Sequence, residues 1–414
     1  MTMTAEPTAA STFERATAGR RLLAAGAGAG IDAHIQCFGV LPKRGAGAML
    51  NEVQASGLTG RGGAGFPLWR KLAAAGLAGG RRRSRASILI ANGSEGEPLS
   101  WKDATLLNHA PHLVIDGMLT AARTIGARNV LLYVGAESRA AVERAIAERS
   151  DAHGIEVVEA AEGFVAGEAS AVVNAIENDD PRPRDHRVRL TESGLRGRPT
   201  LVQNVETFAH LALIARFGGE WFRSVGDPAQ PGTRLVTVTG DVPQEGVFEV
   251  RTDATLDQVL RAARLDFRTA GAALIGGYHG AWVPSSSFSV PLSPEGLAPF
   301  GAQPGAGIIH VLGDHRCGLE ATASIVGYLS RQSAGQCGPC IFGLPTMAAR
   351  FEELARGAAA EENAADLVRL ADLVVGRGAC HHPDGTARLI RSALHVFGHD
   401  VGAHADGFCT RRAA

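Results

Sequence analysis

The sequence predicts an α/β chain in three successive regions: a doubly wound, mostly parallel sheet, then a small α+β module, then a helical bundle. Three observations predict it. Short apolar runs alternate with helical stretches up to about residue 160. Near residue 230 the pattern changes to closely spaced short strands around one helix. Beyond residue 311 the chain reads as almost entirely helical.

The elements follow in order. Residues 18–55 are Ala- and Gly-rich helical and loop segments, and residues 57–67 are a glycine-dense loop. A short helix spans 68–78, and the apolar run 87–92 is a buried strand leading into the polar loop 92–98. Residues 101–126 have helical spacing. Strands at 129–134 and 155–159 flank an amphipathic helix at 138–148. Ligands of such sheets sit outside the C-terminal strand ends, where the 92–98 loop lies. Strands at 234–240, 246–250 and 273–275 surround a helix at 255–264, and 308–311 is another apolar run. Helices at 317–333, 341–357, 362–376 and 385–397 make a four-helix bundle.

The 414 residues allow two or three domains. With 45% hydrophobic and 20% charged residues the chain is an ordinary globular one. A net charge of −1 gives no field for nucleic acid or an anionic membrane. The run Arg81, Arg82, Arg83, Arg85 reads as a solvated loop. No apolar run has the ~18–20 residues of a membrane span, so no direct membrane insertion is expected. Residues 1–17 lack the basic and apolar parts of a signal peptide and read as the frayed tail of a cytoplasmic protein. Six cysteines in so long a chain are no disulfide framework.

Between Gly60 and Pro67, Gly60, Gly62, Gly63 and Gly65 let the backbone come close to a ligand. A helix starting just beyond offers free N–H groups to a phosphate, and Arg61 and Lys71 add charge-assisted bonds. The loop fits neither the dinucleotide fingerprint nor the phosphate loop of nucleotide hydrolases. A flexible surface loop is the plain alternative.

The literal strings say more. Gly60-Arg-Gly-Gly-Ala-Gly-Phe-Pro67 with Lys71, then Asn92, Glu95, Glu97, Pro98, Lys102 and Asp103, then Gly167-Glu168, then Gly194 to Thr200 with Val202 and Asn204 to Thr207, stand in order. With the cysteine region they cover about 320 residues. They closely resemble the NADH-binding flavoprotein subunit family of NADH:quinone oxidoreductase, complex I. The resemblance implies a Rossmann-like FMN- and NAD(P)H-binding domain over 1–228. It implies a β-grasp, soluble-ligand-binding (SLBB) module over 229–306 and a helical iron–sulfur domain over 307–414. It implies that Gly60, Arg61, Gly62, Gly63, Gly65, Phe66, Lys71, Asn92, Ser94, Glu95, Gly167 and Asn204 surround FMN. Glu97 and Glu168 are implied to lie near the nicotinamide or flavin, as the catalytic pair.

The chain also departs from that family. Ser94 and Ala169 replace two carboxylates, Phe164 a tyrosine and Gln203 an asparagine. Two of three adenine-stacking phenylalanines fall near Ala74 and Arg189, Phe66 being kept. Fewer acids favour reduced, anionic flavin and a higher potential, and Arg189 suits a phosphate, so NADPH stays open beside NADH. The 92–98 loop also resembles that of the related Rnf-type electron-transfer subunit.

The family's cysteine pattern binds one [4Fe–4S] cluster through four thiolates. Here Cys337, Cys340 and Cys380 are in register, with 39 residues between the last two, and Ala334 stands where the first Cys belongs. Three thiolates leave a [4Fe–4S] centre with a fourth ligand (water, Cys317, His381 or His382), a [3Fe–4S] form, or no cluster. Cys37 and Cys409 read as structural or terminal.

The resemblance implies electron flow from NAD(P)H through FMN to the iron–sulfur centre and a partner. That partner is a ferredoxin-like protein or a membrane cytochrome or quinone-reductase subunit, which puts the chain in the cytoplasm or peripherally on the membrane's inner face. The alternatives are a ferredoxin-linked relay that does not use NADH, and an inactive scaffold of the same fold.

Overall fold

The computed structural model describes residues 21–26, 30–81, 86–184 and 188–410. The expected N-terminal tail and most of the Arg81–Arg85 run lie outside the described residues. The first region holds α1 (Ile31–Phe38), α2 (Ala46–Ser56), α3 (Leu68–Arg81), β1 (Ile88–Gly93), α4 (Lys102–His109), α5 (Pro111–Ile125), β2 (Asn129–Val134), α6 (Ala136–Ala147), β3 (Ile155–Glu159), α7 (Ala169–Asn178), β4 (Thr200–Asn204) and α8 (Val205–Arg223). The expected single helix over 101–126 is two, because Pro111 has no N–H to continue α4 and instead opens α5.

The first sheet is wholly parallel, in the order β3-β2-β1-β4. Its strands are apolar on both faces, as a sheet covered on both sides requires. Leu89, Ala91, Leu132 and Val134 face the core built with α5 and α8. Ile88, Ile90, Leu131 and Tyr133 face a smaller core with Val172 and Val173 of α7. The backbones of α5 and α8 cross closely at Gly117, where a Cβ would stand 1.8 Å from the Phe208 carbonyl oxygen. β4 went unread in the sequence, yet it pairs with β1 so that Asn92 lies opposite Asn204. The strand order reverses at β1, so the crevice beyond the ends of β1 and β4 is the ligand position of this fold class.

A two-residue hairpin, β5 (Gly226–Asp227) and β6 (Gln230–Pro231), leads to β7 (Thr233–Gly240), β8 (Gly246–Arg251), α9 (Leu256–Ala262), β9 (Ala270–Ile275), β10 (Ala281–Pro284), α10 (Pro294–Leu297) and β11 (Ile308–Gly313). The second sheet runs β10-β9-β11-β7-β8. This corrects the expected boundary at 306: β11, which lies beyond the expected boundary at 306, is the central strand of this sheet. One face of this sheet packs on α9. The other packs on the helices that follow, with Trp282 fully buried and its indole N–H donating to Thr322 at 3.0 Å.

Those helices are α11 (Gly318–Arg331), α12 (Leu344–Ala355), α13 (Ala360–Val374), α14 (His382–Val396) and α15 (Gly398–Ala405), five where four were expected. A π-helical turn at Pro339–Gly343 precedes α12. Such a turn places an extra residue in the helix and is frequent at functional sites.

Candidate active site

Six loop segments, the start of β11 and the residues His382 and Arg388 meet in a cleft of about 360 Å³, within the ~300–1,000 Å³ of small-molecule sites. Gly62, Gly63, Glu97, Phe164, Gly167, Glu168, His279 and Cys380 are among the residues that line it. Gly62 leaves no room for a side chain, since a Cβ there would stand 3.1 Å from that of Asn204. Gly63 has φ of +107°, which favours glycine.

A polar network supports this lining. The Asn92 amide donates to the Gly167 carbonyl at 2.9 Å, and its oxygen accepts from the Ser94 hydroxyl at 2.7 Å. Asn204 caps α8 by accepting from the Glu206 N–H, and its amide donates to Asp103 at 2.6 Å. Lys102 reaches Asp103 at 2.7 Å and Glu206 at 2.9 Å, all three side chains being buried. Burial raises the Glu206 carboxyl, but Lys102, then His210 and Arg61, hold it down at about 2. Burial opposes the charge on Lys102, yet Asp103, Glu206 and Glu95 hold its ammonium well above the usual range.

Glu97 is different. Its Oε2 accepts from the Tyr278 N–H at 3.0 Å, and its Oε1 is enclosed without a partner. Burial pushes this carboxyl up to about 8, the Tyr278 amide pulling the other way. A raised carboxyl of this kind favours its protonated form at neutral pH.

Other sequence-predicted residues are placed less directly on the cleft. Both Glu95 oxygens are taken, by the Ser100 hydroxyl and by the Ala104 N–H at the start of α4. Glu168 lines the cleft while its Oε2 caps α7, accepting from Ser170 and Ala171 N–H at 2.8 and 3.1 Å. The Arg61 guanidinium turns into a neighbouring crevice shared with Gly65 and Arg234 and donates to the Pro231 carbonyl at 3.0 Å. Burial lowers the Lys71 ammonium. The Gly60 N–H donates to the Phe66 carbonyl at 2.9 Å, closing the loop, and the Phe66 ring is exposed.

The three register cysteines come together. Burial, and after it the thiols of Cys337 and Cys380, push the Cys340 thiol up to about 12. Of the side chains expected in the fourth position, His382 and Cys317 have other partners. His382 uses both ring nitrogens: Nε2 donates to the Leu329 carbonyl at 2.8 Å, so Nδ1 accepts from His279 Nε2 at 2.9 Å. His381 is exposed and pairs with Asp384. Cys317 instead meets His404 and Cys409.

Sequence reasoning missed Tyr278 and His279. Phe164 sits edge-on to His279 at 4.6 Å and parallel to Tyr278 at 6.4 Å, between the cleft and the cysteine loop. Burial, then His382, keeps His279 neutral. Glycines 276 and 277 around this turn were the available signal, since both take positive φ.

Residues 53–213 match the Nuo51 FMN-binding domain, and residues 320–404 the NADH-ubiquinone oxidoreductase-F iron-sulfur binding region. The chain is 28% identical to an F-type subunit of NADH-quinone oxidoreductase from Rhizobium meliloti (strain 1021), over 85% of this chain and 87% of the relative. It is 29% identical to the like-named protein of Mycobacterium tuberculosis (strain ATCC 25618 / H37Rv), over 87% and 85%. The chain belongs to the NADH-binding flavoprotein subunit family of NADH:quinone oxidoreductase. It is also 31% identical to the NAD-reducing hydrogenase HoxS subunit alpha of Cupriavidus necator, over 87% of this chain and 60% of that one. The crystal structure of NAD+-reducing [NiFe]-hydrogenase in the H2-reduced state superposes with a TM-score of 0.78 at 30% identity. This chain spans 63% of that one.

FMN and an iron–sulfur cluster are the cofactors of this flavoprotein family, and the residues present fit both. Gly62 leaves a cradle that a Cβ would fill, and Glu97 Oε1 lacks a partner in the cleft. The Cys337, Cys340 and Cys380 thiols are a donor set for iron. Among the described residues no helix is long and apolar enough to cross a membrane.

Proposed function

We propose that the chain is an NADH dehydrogenase-type electron-transfer subunit, which oxidises NAD(P)H at FMN and passes electrons to its iron–sulfur centre and a partner redox subunit. The observation that carries this is the single cleft lined by the Gly62–Gly63 loop, Glu97 and Cys380. Flavin turns two-electron hydride chemistry into one-electron transfers.

The site roles are proposed as follows. The 60–65 loop, the N-terminus of α3 and Lys71 bind the phosphate, and Asn92 and Asn204 the ribityl chain. Glu97 orients the nicotinamide by donating its Oε1 proton, and Glu168 holds the mouth of the cleft in place by capping α7. Cys337, Cys340 and Cys380 hold the cluster. The domains are an FMN- and NAD(P)H-binding Rossmann-like unit to residue 228, a β-grasp module from 229 carried to Gly313, and the helical iron–sulfur unit beyond. Partners of ferredoxin-like or membrane quinone-reductase type fit a member of this family, with the chain on the cytoplasmic side.

An anaerobic titration of the FMN-loaded protein with NADH, then NADPH, tests the reading. Stoichiometric bleaching of the flavin supports it. Bleaching by reduced ferredoxin or dithionite alone favours the relay without NADH. That second reading draws on the exposed residues Phe66, Ala74 and Arg189, which leave one aromatic ring of the expected three for adenine.

A further inference from the structure

We infer that Cys317, His404 and Cys409 form a second metal centre, a zinc site distinct from the iron–sulfur cysteines, which fastens the C-terminal segment to the start of α11. Their donor atoms all lie within 4.8 Å of one another. Among the described residues no other three such donors are drawn so close. Cys317 Sγ is 3.6 Å from His404 Nε2. Cys317 and His404 are buried and Cys409 partly so.

Local structure aims each donor. Cys317 is the N-cap of α11, and its sulfur accepts from the Glu320 N–H at 3.5 Å. The positive end of the helix therefore favours a thiolate there. His404 lies in the last turn of α15. The chain then folds back: the Gly407 and Phe408 N–H groups donate to the His404 and Ala403 carbonyls at 3.0 and 3.1 Å, and the Thr410 hydroxyl donates to Asp400. That turn returns Cys409 to Cys317.

The donor chemistry selects the ion. Two thiolates and one neutral imidazole cancel the charge of a divalent ion, which suits a buried place, and the set is one that zinc accepts. Donors this close surround a single ion, whereas a four-iron cluster needs its thiolates further apart. A disulfide would use the two sulfurs and leave the His404 ring without a purpose. Three protein ligands leave one tetrahedral position for water. Cys317 and Cys409 both lie outside the region matched to the iron–sulfur family, residues 320–404. The ligands bracket all five C-terminal helices, so the ion closes a loop of 87 residues between Cys317 and His404.

Elemental analysis of the full chain, carrying FMN and its iron–sulfur centre, tests this. About one zinc per chain is expected. In Cys409→Ser zinc falls at least roughly tenfold while iron and flavin are retained. Zinc K-edge absorption of the unaltered protein reports the site without any variant and is blind to iron. It should show two sulfurs at about 2.3 Å and nitrogen at about 2.0 Å. A zinc-free protein, whether its Cys317 and Cys409 are joined in a disulfide or free, overturns the proposal. So does loss of iron in place of zinc in Cys409→Ser, or a zinc spectrum without sulfur.

Discussion

Glu97 is a buried carboxyl that lines the cleft. Its carboxyl stands at about 8 in the fold against an ordinary 4.5, with burial as the main cause. Between those values the folded chain keeps a proton that the unfolded chain releases. Its contribution to stability is thus complete below about pH 4.5 and is lost as pH rises through 8. Glutamine does not titrate, so Glu97→Gln in the flavin-free protein should exceed the parent in stability by about 4 kcal/mol at pH 9. At pH 4 the two should agree. Urea midpoints at both values measure this, and a gap that ignores pH would sink it. Glu97 was legible in the sequence as part of a literal string, as were the glycines and the three cysteines. What surrounds Glu97 was not. Tyr278 reaches it from 181 positions away, and nothing in a lone Tyr-His pair announces that contact.

At the scale of elements, α5 is the post on which the first region is assembled. Its buried Asp116 binds His34 of α1 at 2.8 Å, Arg149 beyond α6 at 2.7 Å, and Arg216 of α8. Burial raises this carboxyl, yet His34, Arg149 and Arg216 together hold it down at about 2. A depressed acid stabilises above its unfolded value, near 3.8, and that stability is lost as pH falls through 2. Asp116→Asn should cost about 3 kcal/mol at pH 7, because the enclosed Arg216 guanidinium loses its counter-charge while Arg149 keeps only Asp151. The deficit should shrink by about 1 kcal/mol between pH 5 and pH 3, read from urea midpoints. A constant deficit would mean that the carboxylate's charge is not what holds these helices. The long periodic helices and the apolar strands β1, β2 and β3 were readable from spacing. β4 was not, because five residues between a glycine-rich turn and a helix give too short a pattern. α15 was not legible because its eight residues are mostly small or polar and carry little apolar periodicity.

For the whole molecule, the question is how three units share one cleft. Glu249 of β8 accepts the N–H groups of Arg21, Leu22 and Leu23, and Glu206 of α8 accepts that of Leu235 in β7. Glu97 makes the corresponding bond to Tyr278, and Phe164 N–H donates to Gln332 at the end of α11 at 3.2 Å. Each contact joins a carboxylate or amide of one unit to the backbone of another, so the order of units was visible from composition shifts while their junctions were not. The β11 strand is the clearest case: its apolar run was legible, but its partners in the second sheet were not, since they lie about 35 and 70 positions away. This arrangement sets the 60–65 loop and Cys380 on separate units, which predicts that the two half-reactions separate. Cys380→Ser removes one of the proposed cluster ligands and leaves the 60–65 loop, Asn92, Glu97 and Asn204 untouched. Its FMN affinity and its flavin bleaching by NADH should stay within about threefold of the parent. Electron delivery to an external acceptor at the iron–sulfur centre should fall by roughly a hundredfold, since losing a ligand exceeds losing an outer partner. Stopped-flow absorbance at the flavin band, beside acceptor reduction, separates the two steps. Unchanged acceptor reduction would show that electrons leave the cleft by another route than Cys380.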